Sequence, residues 1–261
     1  LKGVYPKILS HEKYGQEAQK LFNDAQMWLD KIEDQRLFNP QAVLGFWPVQ
    51  REKETLLVYA NDSRVSPIER FEFLRQQKDR CGSLADYISP NNDDYIGLFA
   101  VTAGSEVERL AEEYKNKNDD YTSILIKALG DRLAEALAEW LHHEARQILG
   151  YGKSENLTLE QLLKEEYRGI RPAPGYPACP EHTEKEKIFR LLGGESMTGI
   201  HLTENMAMHP ASSVCGYYFS YPDSKYFTIS HVGRDQVEDY ARRKGWSVSE
   251  AEKWLGPILG Y

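Results

Sequence analysis

The sequence predicts an α+β fold, in which a mixed, mainly antiparallel central sheet has long helices packed around it. Two long segments carry apolar residues at helical spacing, which indicates amphipathic helices. Several short β-prone runs follow one another without a helix between them. Because strands and helices do not alternate strictly, a doubly wound parallel sheet is not expected. With 261 residues, 41% of them hydrophobic, the chain can bury a substantial core.

The N-terminal half is predicted to begin with a helix over about residues 11–36, where apolar residues recur between charged ones. Two β-prone runs follow, 42–47 and 55–59, and the charged segment 50–54 between them is typical of a hairpin loop. Residues 70–73 alternate in the same way. The run 95–101 is apolar almost throughout, so we expect it to lie in the middle of the sheet, buried on both faces.

Two helices are predicted next. Ser105 and Glu108 are spaced as a capping box for a helix that reaches about residue 114. A longer helix is predicted over 120–149, with a leucine every four residues along one face. A second row at the same spacing is acidic, and on periodicity alone a solvated face is its simpler interpretation. The members of this acidic row are Asp131, Glu135 and Glu139.

The segment 168–182, RGIRPAPGYPACPEH, differs from the rest because it has four prolines within nine residues. Proline disrupts both helix interiors and central strands, so we expect a rigid loop here. The remaining elements are predicted from periodicity and from Gly and Ser breaks. They are a helix over 181–192, strands over 213–220 and 225–230, and helices over 235–244 and 248–255.

Composition and motifs exclude several classes of function. The formal charge of −8 argues against general nucleic-acid binding. Neither a long uncharged apolar run nor a signal-peptide pattern occurs, so we expect a cytoplasmic protein without a membrane span. The sequence has no GxGxxG after a predicted strand, no GxxxxGK[ST], no GxSxG and no HExxH. Dinucleotide-binding, P-loop and common hydrolase sites are therefore unsupported.

The cysteines predict neither disulfides nor a metal site. Cys81, Cys179 and Cys215 are odd in number and far apart, which favours a reducing compartment. Cys179 and His182 have a metal-like CxxH spacing, but no second close pair completes a tetrahedral set. A buried thiol and a hydrogen-bonded histidine are the simpler interpretation, and we predict no metal.

The proline-rich loop is the best candidate for a binding site. Three prolines between residues 171 and 177 fix the backbone, and Gly175 would let a ligand approach the main chain closely. Arg171 presents a planar fork of donors suited to a carboxylate. The ring face of Tyr176 would favour a cation such as a sulfonium. These features suit a zwitterionic, nucleoside-bearing ligand, and the alternative is a structural turn that covers one end of a helix pair.

The run YRGIRPAPGYPACPEHTEK at residues 167–185 resembles the signature of the activation domain of cobalamin-dependent methionine synthase. Four further segments resemble the same domain in the same order, so the resemblance covers nearly the whole chain. It implies one C-shaped domain over residues 1–261, part of a larger multidomain enzyme and not catalytic alone. The four segments are DYIGLFAVTAG (94–104), KALGDRLAEALAEWLH (127–142), SYPDSKYF (220–227) and RDQVEDYARRKG (234–245).

The resemblance also implies a function. In that family the domain binds S-adenosylmethionine and supports the reductive methylation of inactive cob(II)alamin to methylcobalamin. The cobalamin is bound by a neighbouring domain of the same enzyme, and flavodoxin or a flavoprotein reductase delivers the electron. The domain supplies position rather than acid–base groups, so no catalytic residue is expected. One alternative is a module that docks these partners with weak or lost ligand binding, and another is an independent methyltransferase with a different acceptor.

Four of the expected ligand-binding residues lie in the proline-rich loop. By resemblance, Arg171 would hold the methionine carboxylate of S-adenosylmethionine. The main chain at Ala173 and Gly175 would meet the adenosine part, and Tyr176 would pack near it.

Three further ligand-binding residues are expected elsewhere. Tyr226 and Phe227 match a second ligand-contacting segment of the family, and Glu135 matches a helix carboxylate that faces the sulfonium. The family also has an acidic residue upstream of the position matching residues 1–3, which takes the amino group of the ligand. This sequence starts after that residue, so we expect binding weaker by roughly 1.5–3 kcal/mol, typical of a charged hydrogen bond.

Overall fold

A computed structural model describes residues 5–91 and 93–261. Its main feature is a five-stranded, wholly antiparallel sheet with the spatial order β3-β2-β1-β4-β7. A short separate hairpin is formed by β5 and β6. The strands are β1 (Gln41–Glu52), β2 (Thr55–Tyr59), β3 (Pro67–Glu72), β4 (Asp94–Thr102), β5 (His201–Leu202), β6 (Met208–His209) and β7 (Ser213–Tyr218).

The helices lie on both faces of this sheet. The first 3₁₀ turn, Lys7–Ser10, precedes α1, and the predicted long helices at the N-terminus and in the middle of the chain are confirmed. In the described residues, no helix combines the length and apolarity that crossing a bilayer requires. The helices are α1 (Gly15–Gln35), α2 (Glu106–Asn116), α3 (Asp120–Ile148), α4 (Leu159–Leu163), α5 (Glu184–Leu192), α6 (Gly194–Thr198), α7 (Arg234–Lys244) and α8 (Val248–Leu255).

Strand β4 occupies the middle of the sheet, as its apolar sequence predicted, between β1 and β7. Successive residues of a strand point to opposite faces, so β4 contributes to two cores. Leu98 joins the core that includes Ile188 of α5, and Phe99 joins the core that includes Leu141 of α3. Full burial of one such side chain is worth about 1.5–3 kcal/mol, so helix packing on both faces stabilises the sheet.

The hairpin between β1 and β2 is tighter than the predicted loop over 50–54. Gln50 pairs with Leu57 and Glu52 pairs with Thr55, which leaves a two-residue turn. Lys53 adopts a left-handed φ of 57° in this turn. Of the charged residues that suggested a loop, Arg51 and Glu52 belong to the strand, where Arg51 donates to Asp86 at 3.1 Å, and only Lys53 and Glu54 form the turn.

The capping box predicted for α2 is wrong. Ser105 precedes the helix, but its side chain makes no cap hydrogen bond. Glu108 instead reaches across to the loop before β7, where its carboxylate accepts from the backbone N–H of Ala211 at 2.8 Å. The same side chain lies 3.3 Å from Nδ1 of His209. A tertiary contact therefore replaces the expected local one.

The strand predicted over 225–230 is also wrong. A strand there would need a free sheet edge, but residues 170–172 already pair with the outer edge of β7. The segment is held by isolated hydrogen bonds instead. The backbone of Lys225 bonds in both directions to the hydroxyl of Tyr87, and the N–H of Ile229 donates to the carbonyl of Pro177 at 2.8 Å.

Candidate functional site

The proline-rich loop begins as an addition to the sheet edge. Ile170 exchanges two backbone hydrogen bonds with Phe219, both 3.0 Å long, and the carbonyl of Pro172 accepts from the N–H of Tyr217 at 2.9 Å. Proline can occupy an edge position because its missing N–H would face away from the sheet. Backbone hydrogen bonds therefore anchor the start of the loop against the edge formed by β7 and Phe219.

The loop then turns sharply at Gly175, whose φ of +94° suits glycine. The N–H of Gly175 donates to the carbonyl of Cys179 at 2.7 Å, and that of Tyr176 donates to Ala173 at 3.2 Å. The ring of His182 fills the space where a side chain at Gly175 would stand. The space in which a ligand was expected to approach Gly175 is thus occupied by the His182 ring. The N–H of Gly175 is already bonded to Cys179.

A cavity of about 510 Å³ lies beside this loop, and we call it the loop cavity. Its volume falls in the range of small-molecule and cofactor sites. It is bounded by α3, β7, the proline-rich loop and the segment 226–228, with Glu165 at the margin. Six of the seven residues predicted from the sequence line it, and Gly175 does not. The six are Glu135, Arg171, Ala173, Tyr176, Tyr226 and Phe227.

Arg171 and Tyr226 lie on the same wall of the loop cavity. The backbone N–H of Arg171 donates to the hydroxyl of Tyr226 at 3.1 Å. Its guanidinium Nη2 donates to Oε2 of Glu139 at 2.7 Å, and its Nε is buried without a partner among the described residues. Nη1 makes no hydrogen bond within the described residues, so the guanidinium of this cavity-lining side chain keeps an unused donor, and its planar shape fits a carboxylate.

Comparison with known proteins identifies the family. The family described as vitamin B12-dependent methionine synthase, activation domain, matches residues 1–245. This chain belongs to that family. Its fold is also that of a crystal structure of the MetH reactivation domain bound to AdoHcy, with 51% sequence identity and a TM-score of 0.96. That similarity covers 100% of this chain and 83% of the other chain.

The resemblance seen in the sequence and the expected α+β fold are thereby confirmed. The chain is an activation domain of a cobalamin-dependent enzyme, which implies a cobalamin-bearing domain in the same enzyme. The roles assigned to individual residues of the loop cavity stay predictions. Residues 1–3, beside which the family's acidic contact was expected, lie outside the described residues.

The electrostatics of this activation domain favour a charged, polar ligand. Burial acts to lower the pKa of Arg171, but Tyr167 and Glu139 raise it on balance above its ordinary value. The guanidinium therefore stays charged. Burial raises the pKa of Tyr226, so its hydroxyl stays protonated and can both accept and donate. At the rim, Glu135 is mostly exposed and pairs with Arg132 at 2.9 Å.

The three members of the acidic row on α3 have different surroundings. Asp131 accepts from the hydroxyl of Ser212 at 2.8 Å, and Glu135 lies at the rim of the loop cavity. Glu139 accepts a hydrogen bond from the guanidinium of Arg171 at 2.7 Å and does not line the loop cavity. Sequence reasoning noticed this row but did not single out Glu139. It missed Glu165 altogether, because nothing in the spacing of the short segment before the prolines indicated a site.

Among the residues that the structure describes, the cysteines belong to no cluster that could hold a metal ion. Burial raises the pKa of Cys179 well above its usual value and that of Cys215 to about 12, so both thiols stay protonated and are poor ligands. Nδ1 of His182 lies 2.9 Å from Nζ of Lys185. Residues 5–91 and 93–261 contain no cluster of three or more His, Cys, Asp or Glu that could hold a metal ion.

A second, larger cavity of about 630 Å³ lies between β3, α5 and α7. Its buried charges are already paired with one another. Lys244 lies 2.5 Å from Glu184, and Arg243 lies 2.8 Å from Glu72. These ion pairs use the charges of both partners, so they leave less of that charge for a ligand than Arg171 does in the loop cavity.

Proposed function

We propose that this activation domain binds S-adenosylmethionine in the loop cavity and thereby supports reductive reactivation of the cobalamin enzyme. The observation that carries the proposal is the placement of a partly unused Arg171 guanidinium beside aromatic rings and carboxylates in one cavity. The similar MetH reactivation domain, of known structure, is bound to AdoHcy, which is S-adenosylmethionine without its methyl group.

In this proposal the carboxylate and the sulfonium of the ligand each meet protein groups of opposite charge. Arg171 holds the carboxylate of the methionine part through a charge-assisted hydrogen bond. Glu135 and Glu165, which both line the loop cavity, place negative charge near the positive sulfur. The exposed ring of Tyr176 offers a π-face to the same cation.

The adenosine part would lie against the main chain of the proline-rich loop and the aromatic rings of Tyr226 and Phe227. Ala173 and Gly175 belong to the turn whose backbone is fixed by hydrogen bonds, so binding does not require the loop to become ordered. Gly175 acts by shaping that turn. Tyr226 and Phe227, in the irregular segment opposite, supply apolar surface for the base and the ribose.

The bound ligand supplies the methyl group for cobalamin, and an electron is needed because the acceptor starts as cob(II)alamin. This domain contributes position rather than proton transfer. We further propose that flavodoxin or a flavoprotein reductase delivers the electron, that residues 1–261 form one domain of a larger enzyme, and that this enzyme works in the cytoplasm.

Calorimetric titration with S-adenosylmethionine and AdoHcy tests the proposal. Arg171→Ala should weaken binding of either ligand by roughly 1.5–3 kcal/mol, the usual value of a hydrogen bond to a charged group. Arg168→Ala is the matched control, because Arg168 lies in the same loop but donates to the backbone of Ser220 outside the cavity. Absence of binding at millimolar ligand by the folded wild type would count against the proposal.

A reactivation assay with the complete enzyme separates this proposal from a pure docking module. If the domain acts by holding S-adenosylmethionine, Arg171→Ala should lower the rate of reactivation while the cobalamin domain still docks. Reactivation at the wild-type rate would instead favour a docking module whose ligand site is not used.

A further inference from the structure

We propose that Glu139 is the positioning residue that fixes the Arg171 guanidinium for the carboxylate of the ligand. This inference rests on the function proposed above, and it concerns a residue that does not line the loop cavity. Nη2 of Arg171 lies 2.7 Å from Oε2 of Glu139, and both side chains are largely shielded from solvent. Glu139 therefore pairs with Arg171 without lining the loop cavity, which leaves the cavity beside Arg171 to the ligand.

The carboxylate of Glu139 is itself held in place. The same oxygen, Oε2, accepts from the hydroxyl of Tyr167 at 3.2 Å. Tyr167 is only 8% exposed, and its ring cannot move freely because two α3 side chains pack on it. The guanidinium carbon of Arg146 lies 4.1 Å from the centre of that ring, and the ring of His142 meets it edge-on at 5.0 Å.

These supporting groups come from one face of α3. Glu139, His142 and Arg146 are spaced by three and four residues, the spacing that brings helical side chains into one row. Arg146 is fully buried, and its Nε donates to Glu155 at 2.9 Å. A continuous set of contacts thus runs from Glu155 through Arg146 and the ring of Tyr167 to Glu139, and ends at Arg171.

The geometry of the pair leaves Arg171 available for binding. Glu139 uses one nitrogen of the guanidinium, so the contact is single rather than the paired fork that would occupy the group. An arginine side chain has many rotamers, and ordering it during binding lowers affinity. Because Glu139 orders it beforehand, the carboxylate of the ligand meets an arginine side chain that is already held at the wall of the loop cavity.

The test compares S-adenosylmethionine with its decarboxylated analogue, which keeps the sulfonium, the amino group and the adenosine. Calorimetry on the whole chain should show that Glu139→Ala weakens S-adenosylmethionine binding about tenfold, the loss expected when one charged contact fails. The affinity for the decarboxylated analogue should change less than twofold. Glu139→Gln should restore most of the loss, because its amide oxygen can still accept from Arg171.

Glu144→Ala, one turn further along α3, is the matched control and should leave both affinities unchanged. A Glu139→Ala variant that loses equal affinity for both ligands would show a merely structural role and overturn the proposal. A Glu139→Ala variant that keeps its affinity for both ligands would also overturn the proposal, because Arg171 would then be positioned without Glu139. If the wild type binds neither ligand, the proposed function itself fails. That outcome is seen with the wild type alone, so it is distinct from a failure of the Glu139 proposal.

Discussion

At the scale of single residues, Gly175 is a position where the loop should tolerate substitution poorly. Two separate costs oppose a side chain there. The first is the φ of +94°, which L-residues rarely adopt, and the second is the ring of His182 in the space that a Cβ would need. Gly150 isolates the first cost, because its φ is +88° and no atom lies within 4 Å of its virtual Cβ.

We therefore predict that Gly150→Ala lowers the free energy of unfolding by about 1–2 kcal/mol, the usual cost of a left-handed residue. Gly175→Ala should lower it by roughly 1–3 kcal/mol more, as expected of a side chain forced into a packed site. Urea denaturation of both variants measures the difference. Gly175→Ala combined with His182→Ala should recover part of the additional loss. Equal losses at the two glycines would show that His182 does not matter.

A second residue-scale prediction concerns the pH dependence of stability. His142 is fully buried between Tyr218 and Tyr167, and neither ring nitrogen has a partner among the described residues. Burial lowers its pKa well below the ordinary value, and the nearby charges of Arg146 and Arg171 lower it further. The folded protein therefore keeps this imidazole neutral under mildly acidic conditions in which the unfolded chain protonates it.

Because the unfolded state binds the extra proton, stability falls as the pH drops below the unfolded pKa of about 6.5. The contribution of His142 is fully present above that pH and should decline by up to about 1.4 kcal/mol per pH unit below it. His142→Phe should keep the stacking on Tyr218 but flatten this slope. Denaturation midpoints between pH 5 and 7.5 test it, and parallel slopes for wild type and variant would contradict it.

At the scale of elements, apolar patterns predicted most of the structure, because the long helices bury one face and β4 buries both. The length of α3 and the central place of β4 both follow from apolar patterns in the sequence. The strand expected at 225–230 failed for a different reason. Its composition is β-prone, but whether a run becomes a strand depends on a free neighbour, and the edge of β7 is taken by residues 170–172.

The acidic row on α3 shows where sequence reasoning about the site reached its limit. Spacing places Asp131, Glu135 and Glu139 close to one another on the helix surface. It cannot tell which of them faces another part of the chain. That depends on where Ser212 and Arg171 arrive in the fold, 81 and 32 residues away along the sequence. The family signature located the loop in the sequence, but only the folded structure reveals the hydrogen bond between Arg171 and Glu139.

At the scale of the whole molecule, the loop cavity joins parts of the chain that are distant in sequence. It lies between α3, the proline-rich loop, β7 and the segment 226–228. The last of these is followed directly by Ile229, whose N–H donates to the carbonyl of Pro177. A ligand that contacts all four parts should stabilise the folded state as a unit, because it binds the native cavity and not the unfolded chain.

We predict that AdoHcy at a hundred times its dissociation constant stabilises the protein by about 2.7 kcal/mol. For a chain of this size, that corresponds to a rise in Tm of roughly 5–10 °C. Differential scanning calorimetry over a range of ligand concentrations measures the rise, which should grow with the logarithm of the concentration. Arg171→Ala should shift the curve to higher ligand concentrations, whereas Arg168→Ala should leave it in place. A Tm that stays constant up to millimolar AdoHcy would contradict binding to the native state.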